Sequence, residues 1–78
     1  MKALLDAGAL VGVERRDRRV GAMLRVLQQR RVPLWTSAAV DAHLALLVDP
    51  GDQVLTGDRD DLALLLAARR VRATLVDV

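Results

Sequence analysis

The chain has 78 residues and a formal net charge of +2, and 53% of its residues are hydrophobic. This length predicts a single domain over residues 1–78 with a small core, and the apolar fraction excludes a wholly disordered protein. The sequence contains no cysteine, which excludes disulfide scaffolds, thiolate zinc sites and cysteine nucleophiles. Charge is uneven, because the first 40 residues carry eight basic and three acidic side chains and the remainder four and seven. From charge alone, these side chains are interpreted as solvated helix faces.

Two features of the sequence bear on where the protein acts. The longest uninterrupted apolar run, Leu62–Ala68, is far too short to cross a membrane. The N-terminus lacks the long apolar region and the cleavage site of a signal peptide. We therefore expect a cytoplasmic protein that has no membrane partner.

The first half of the chain predicts a strand, two helices and a second strand. Ala3–Leu5 is a short apolar strand that ends at Asp6, and residues 7–14 follow as a short helix that Asp6 can cap. A longer helix over residues 20–30 has an apolar stripe at helical spacing. Residues 32–36 form the second strand, and Pro33 suits the start of that strand or an edge position. The sole aromatic residue of the chain lies in this strand, so a base-stacking platform is not expected.

The second half alternates helix and strand. Ser37 can cap a helix over residues 38–48, which has Asp41 in its first turn. Residues 49–52, with proline and glycine at the central positions, predict a type II turn. Gln53–Thr56 is the third strand. A leucine-rich helix over residues 60–70 and a final strand over residues 72–78 complete the pattern.

This alternation predicts a small three-layer α/β domain with a mostly parallel four-stranded sheet and right-handed crossovers. The predicted strand order is 2-1-3-4, which places the first and third strands side by side at the centre. From the first strand the chain proceeds to one edge of the sheet, and from the third strand it proceeds to the other. Ligands of open α/β sheets bind at such switch points, beyond the carboxyl ends of the strands.

Three aspartates are predicted to meet at this edge. Asp6 ends the first strand, Asp58 follows the third, and Asp41 opens the helix after the second. Each alone is explained by helix capping, and Asp58 and Asp61 have the spacing of a capping pair. Crowded carboxylates repel each other, and a divalent cation relieves the repulsion. An oxygen-only ligand set favours Mg²⁺ or Mn²⁺, which can activate water for attack on a phosphodiester.

The segments Leu4–Leu10, Asp41–Leu47 and Val54–Leu62 resemble the consecutive motifs of PIN domains, most closely those of VapC-type toxins of bacterial toxin–antitoxin pairs. The resemblance extends over nearly the whole chain. It implies an Mg²⁺- or Mn²⁺-dependent ribonuclease with an RNA substrate and a cognate antitoxin partner. By motif position, Asp6, Asp41 and Asp58 would bind the metal, and Asp61 would be an auxiliary acid.

The sequence departs from that family in one region. In the family, the segment matching Thr36–Val40 leads into a helix with a further acid, usually glutamate, and then into more helices and an edge strand. Here Val40 continues directly into Asp41, and the only glutamate, Glu14, lies in a different element. We therefore expect impaired activity. We also expect the second strand to have an open edge that favours self-association or a partner chain.

Two other classes of protein are compatible with the sequence. A catalytically inactive PIN-like module would pair with an antitoxin or with itself. The missing acid favours this alternative, whereas retention of the three motif aspartates favours the nuclease. A receiver-like phospho-acceptor domain is a more distant alternative, because no lysine lies near the third or fourth strand.

Overall fold

The structure is a computed structural model that describes the backbone of residues 1–36 and 41–78, and the side chains of residues 1–36 and 43–78. The predicted cap Ser37 and the predicted helix start at Ala38 lie outside the described residues. Strands and helices follow one another in the predicted order. In chain order they are β1 (Ala3–Leu5), α1 (Ala7–Glu14), α2 (Arg18–Gln29), β2 (Leu34–Thr36), α3 (Asp41–Leu47), β3 (Gln53–Thr56), α4 (Arg59–Ala68) and β4 (Thr74–Asp77).

The four strands form one sheet in the order β2-β1-β3-β4, and every pairing is parallel. Leu4 of β1 lies opposite Trp35 of β2 on one side and Val54 of β3 on the other. The chain moves outward from β1 to β2 and, in the opposite direction, from β3 to β4. The predicted strand order is therefore confirmed, and the switch point lies between β1 and β3.

Helices cover both faces of the sheet, which confirms the three-layer arrangement. Leu4 and Val54 face α3 and α4, and their buried neighbours on that side are Leu44, Ala45, Val48, Leu62 and Leu66. The alternate residues Leu5 and Leu55 face α1 and α2, where they pack with Ala3, Ala9 and Leu27. Leu55 is only 1% exposed, as expected of a central strand that is buried on both faces. Among the described residues, no helix is both long enough and apolar enough to cross a membrane.

Helices α1, α2 and α4 each end at a pair of arginines. The second arginine of each pair has a positive φ of 54° to 56°, and these residues are Arg16, Arg31 and Arg70. In α2, the Arg31 N–H donates to the Gln28 carbonyl and the Val32 N–H donates to the Leu27 carbonyl. This is the Schellman pattern, in which glycine is the usual residue at the positive-φ position. Arginine there has a conformational cost, partly offset by its charge near the negative end of the helix dipole.

A buried ion pair joins β1 to β3 at the amino edge of the sheet. The Lys2 ammonium lies 2.6 Å from a carboxylate oxygen of Asp52, which is 1% exposed, and 2.7 Å from Asp49. The Lys2 N–H donates to the other Asp52 oxygen at 2.9 Å. Burial alone raises the pKa of Asp52, but hydrogen bonds from the Lys2 ammonium and from the Lys2 and Asp49 N–H groups outweigh it and hold that pKa below its ordinary value. The Lys2 ammonium also lies 5.3 Å from the centre of the Trp35 ring, so it contacts β2 as well.

Residues 49–52 form the predicted turn. Gly51 has a φ of 86°, and the Asp52 N–H donates to the Asp49 carbonyl at 3.1 Å, as in a type II turn. Arg69 is the C-cap residue of α4, and its guanidinium donates to the Ala45 and Val48 carbonyls at the end of α3. This side chain therefore satisfies carbonyls of a neighbouring helix and joins the two helices on that face.

Candidate functional site

Asp6 is the central residue of the carboxyl edge. It ends β1 and caps α1, because its Oδ1 accepts the Ala9 N–H at 2.9 Å. Its Oδ2 accepts the hydroxyl of Thr56, and the Gly57 N–H contacts both oxygens at 3.2 and 3.4 Å. The side chain is only 5% exposed. The predicted helix cap is thus confirmed, and the same carboxylate also crosses the switch point and joins β1 to the end of β3.

Thr56 connects Asp6 to Asp58. Its Oγ1 donates to the Asp6 carboxylate and accepts the Asp58 N–H at 2.8 Å, and the residue is fully buried. The hydroxyl therefore fixes the start of the loop that presents Asp58. Sequence reasoning missed this residue, because threonine at the end of a strand is explained by β propensity alone. The feature of the sequence that could have identified Thr56 is a hydroxyl side chain immediately before Gly57 and Asp58.

Two glycines allow the first turn of α1 to contact the loop after β3 directly. A Cβ on Gly8 would lie 3.2 Å from the Gly57 Cα and N, and 3.3 Å from Asp6 Oδ1. Contacts this close require the Gly57 backbone or the Asp6 carboxylate to move. The small residues therefore allow the Gly57 N–H to reach Asp6, and a larger side chain at position 8 would separate them.

The acids that follow β3 lie on the solvent side of this junction. Asp58 is the N-cap residue of α4 and is exposed, but its side chain makes no capping hydrogen bond, so the interpretation of Asp58 and Asp61 as a capping pair is wrong. Asp60 and Asp61 are exposed in the first turn of α4, where the helix dipole favours negative charge. Asp61 lies three residues after Asp58, so both acids are at the same end of the helix. Arg59 pairs with Asp77 at 3.5 Å on the exposed surface.

Asp41 is the first residue of α3, and its side chain lies outside the described residues. Helix α3 ends just before the turn that leads into the amino end of β3, so its first residue lies toward the carboxyl edge. The backbone of Asp41 thus lies toward the same carboxyl edge of the sheet as Asp6 and Asp58. Glu14 is the last residue of α1, about 12 Å along that helix from its start beside Asp6.

The chemistry of this edge suits a hard divalent cation. Asp6 and Asp58 supply carboxylate oxygens, the ligands that Mg²⁺ and Mn²⁺ prefer. The hydrogen bonds from the Ala9 N–H and the Thr56 hydroxyl are the shorter ones, and each occupies one lone pair of a different Asp6 oxygen. The Gly57 N–H is shared between both oxygens at longer distances, so it is the weakest donor of the set. Across the described side chains, however, no group of three or more histidines or acids is close enough to hold a metal. A complete site would therefore need Asp41 in addition to Asp6 and Asp58.

The fold and this edge together define a parallel α/β domain with an acidic switch point. Comparison of the chain with protein-family models, with curated proteins and with solved structures found no match. The function is therefore inferred from the geometry of the edge and from the sequence motifs.

Proposed function

We propose that this protein is a weak Mg²⁺- or Mn²⁺-dependent endoribonuclease of the toxin type, acting in the cytoplasm and neutralised by a cognate antitoxin. The observation that supports the proposal most directly is the buried Asp6 carboxylate, joined through Thr56 to the backbone of Asp58 at the switch point. Helix capping of α1 needs only the Ala9 bond, so it does not explain the remaining contacts of Asp6.

The residues of the edge have distinct roles in this proposal. Asp6 and Asp58, with Asp41, would hold the cation, and a cation bound there supplies a polarised water and a contact for the phosphate. The donors around Asp6 hold its carboxylate in one orientation before any ligand arrives. Asp61 would orient the attacking water from the first turn of α4. The bond that is cleaved in RNA is a phosphodiester, and such a site can stabilise the negative charge that develops on its phosphate during attack.

The absence of the further family acid limits the expected rate. Asp61 begins its helix at the correct edge, whereas Glu14 lies about 12 Å away along α1. Asp61 is therefore the better substitute, but it follows β3 in the chain, whereas the family acid lies on the helix after β2. Small displacements of a reacting water cost orders of magnitude in rate. We expect cleavage that is detectable and slow.

Metal binding is tested by calorimetry with Mn²⁺ and by thermal melting. Mn²⁺ should bind the wild-type chain and raise its melting temperature, because a ligand that binds only the folded state stabilises it. Asp58→Asn should weaken Mn²⁺ binding markedly. Asp60→Asn is the matched control, since it removes the same charge from the same exposed turn. Equal Mn²⁺ affinity in wild type and Asp58→Asn would remove Asp58 from the site.

Cleavage is tested on structured and single-stranded RNA, first with Mn²⁺ and then with chelator. We expect slow cleavage that needs Mn²⁺, is abolished by Asp6→Asn or Asp58→Asn, is reduced by Asp61→Asn and persists in Asp60→Asn. Cleavage that survives Asp6→Asn, or that continues in chelator, would refute the assignment of this site. Rapid wild-type cleavage that Asp6→Asn abolishes would retain the site and refute the importance of the missing acid.

The second candidate function is an inactive binding module, and the exposure of β2 favours it. All of Leu34–Thr36 is exposed, including Trp35 at 48%, and β2 is an edge strand of the sheet. Edge strands of this kind accept a further strand from another chain. We propose self-association, or pairing with the antitoxin, through β2.

Sedimentation and fluorescence together test association through β2. Trp35 is the only aromatic residue of the chain, so its emission reports directly on this edge. Burial of the ring in a dimer should shift its emission toward shorter wavelength as protein concentration rises. A monomer at high concentration with unchanged emission would refute self-association.

A further inference from the structure

An open hollow of about 440 Å³ lies where α1 turns into α2, far along α1 from Asp6. Three arginine side chains line it, Arg16, Arg18 and Arg25. Gly21 and Leu24 are among the α2 residues that complete its wall. The hollow combines clustered positive charge with a concave shape, which distinguishes it from an evenly solvated helix face.

The single acid among the described lining residues, Asp17, forms no ion pair with these arginines. One Asp17 oxygen accepts the backbone N–H groups of Arg19 at 2.9 Å and Val20 at 3.1 Å, so this carboxylate caps α2. Within the described parts of the chain, the ion pairs are made by Lys2 and Arg59, both outside the hollow. The guanidinium groups therefore remain available to an anion.

Two of the arginines that line the hollow come from different elements, Arg16 from the turn between α1 and α2 and Arg25 from α2 itself. Arg16 has a positive φ at the end of α1, a conformation in which glycine would cost less. Arg25 Nε lies 3.5 Å from the Gly21 carbonyl one turn back, so its side chain extends along α2 toward the turn. A Cβ on Gly21 would meet no atom within 4 Å, so the wall is open at this position.

We propose that this hollow binds backbone phosphates of the RNA strand, a few nucleotides from the bond that is cleaved. This role rests on the proposed ribonuclease function and adds a second point of contact to it. Guanidinium groups form paired hydrogen bonds with phosphate oxygens, and such contacts position a strand without reading its sequence. Helix α1 begins directly after its N-cap Asp6 and ends beside the hollow, about 12 Å away, so both regions can contact one short RNA strand. Positive charge here also offsets the repulsion between RNA and the acidic edge.

The test measures RNA binding in chelator, so that no cleavage occurs. Gly21→Glu adds a carboxylate to a lining residue of the hollow, at a position where an added Cβ meets no atom within 4 Å, and glutamate is a better helix former than glycine. We expect it to weaken binding of a single-stranded oligoribonucleotide by roughly tenfold at low salt. The slope of log K against log salt should fall by about 0.7 for each phosphate that the variant no longer neutralises. Gln29→Glu is the matched control, because it adds the same charge to an exposed position near the end of α2.

A second variant keeps the proposal falsifiable if Gly21→Glu fails to fold in circular dichroism melting. Arg18→Gln should weaken binding and lower the salt slope in the same direction. Wild-type affinity in both hollow variants would overturn the proposal, as would equal weakening by Gln29→Glu. If both hollow variants weaken RNA binding but the wild-type protein shows no Mn²⁺-dependent cleavage, only the proposed ribonuclease activity is overturned. If the wild-type protein cleaves RNA with Mn²⁺ but the hollow variants bind RNA as tightly as wild type, only the proposed role of the hollow is overturned.

Discussion

Thr56→Val is the most direct test of how the carboxyl edge is built. Valine has nearly the shape of threonine, so the substitution leaves no cavity in a fully buried position. It removes the hydroxyl that donates to Asp6 and accepts the Asp58 N–H at 2.8 Å. The Asp6 Oδ2 then retains only the long contact from Gly57, and the Asp58 N–H no longer has this acceptor.

The expected destabilisation follows from the removal of these two hydrogen bonds. A hydrogen bond to a charged group contributes about 1.5–3 kcal/mol, and a neutral one about 0.5–1.5 kcal/mol. Together they predict a decrease of about 2–4.5 kcal/mol in the free energy of unfolding. A domain of 78 residues has roughly 4–12 kcal/mol in total, so the variant should lose a large part of its stability.

Urea denaturation of wild type, Thr56→Val and Thr56→Ser provides the measurement. Thr56→Ser keeps both hydrogen bonds and removes one methyl group, at a cost of about 1 kcal/mol. Thr56→Val should therefore have the lowest urea midpoint of the three proteins. A Thr56→Val midpoint equal to or above that of Thr56→Ser would show that the hydroxyl does not support the edge, and would refute our description of Asp6.

Three further predictions concern stability. Leu55→Ala should cost about 2–5 kcal/mol, and an unchanged urea midpoint would contradict its burial in the central strand. Because the pKa of Asp52 is held below its ordinary value, its pairing with Lys2 should stabilise the fold above about pH 4 and lose that effect as the pH falls further. Thermal melting from pH 7 to pH 3 should show a smaller acid loss in Asp52→Asn than in wild type. Arg31→Gly should raise the free energy of unfolding by about 0.5–1 kcal/mol by relieving a positive φ, whereas Arg30→Gly, at an ordinary φ, should not.

The order of strands and helices was predictable because it depends on local patterns. Short apolar runs that alternate with helical stripes require a parallel sheet, and the run at Gln53–Thr56 was located with its correct bounds. Asp6 was predicted as a helix cap from its position alone, and the type II turn from proline and glycine at its centre. In each case the deciding residues lie within a few positions of one another, so the sequence displays the interaction directly.

The contacts that hold the two central strands together were not predictable in this way. Lys2 and Asp52 are 50 residues apart, as are Asp6 and Thr56, and neither pair has a spacing that a pattern can reveal. Asp52 was interpreted only as a turn residue, although it is the most deeply buried acid among the described side chains. Asp58 was considered for helix capping, which its side chain does not provide. The partners in such long-range polar pairs can be identified only after the strand order and register are known.

The pairing of β1 with β3 has a consequence for how the chain folds. The central contact of the sheet joins Ala3–Leu5 to Gln53–Leu55, across some two thirds of the sequence. Closing so long a loop is entropically costly and slows the search for the native state. During synthesis, β1 must remain without its inner neighbour until β3 has left the ribosome, although β2 is available to it earlier. A nascent chain halted before Gln53 would expose one edge of β1 together with the apolar face of α2. Exposed apolar surface and unpaired strand edges promote aggregation, so such incomplete chains are expected to aggregate more readily than the finished domain.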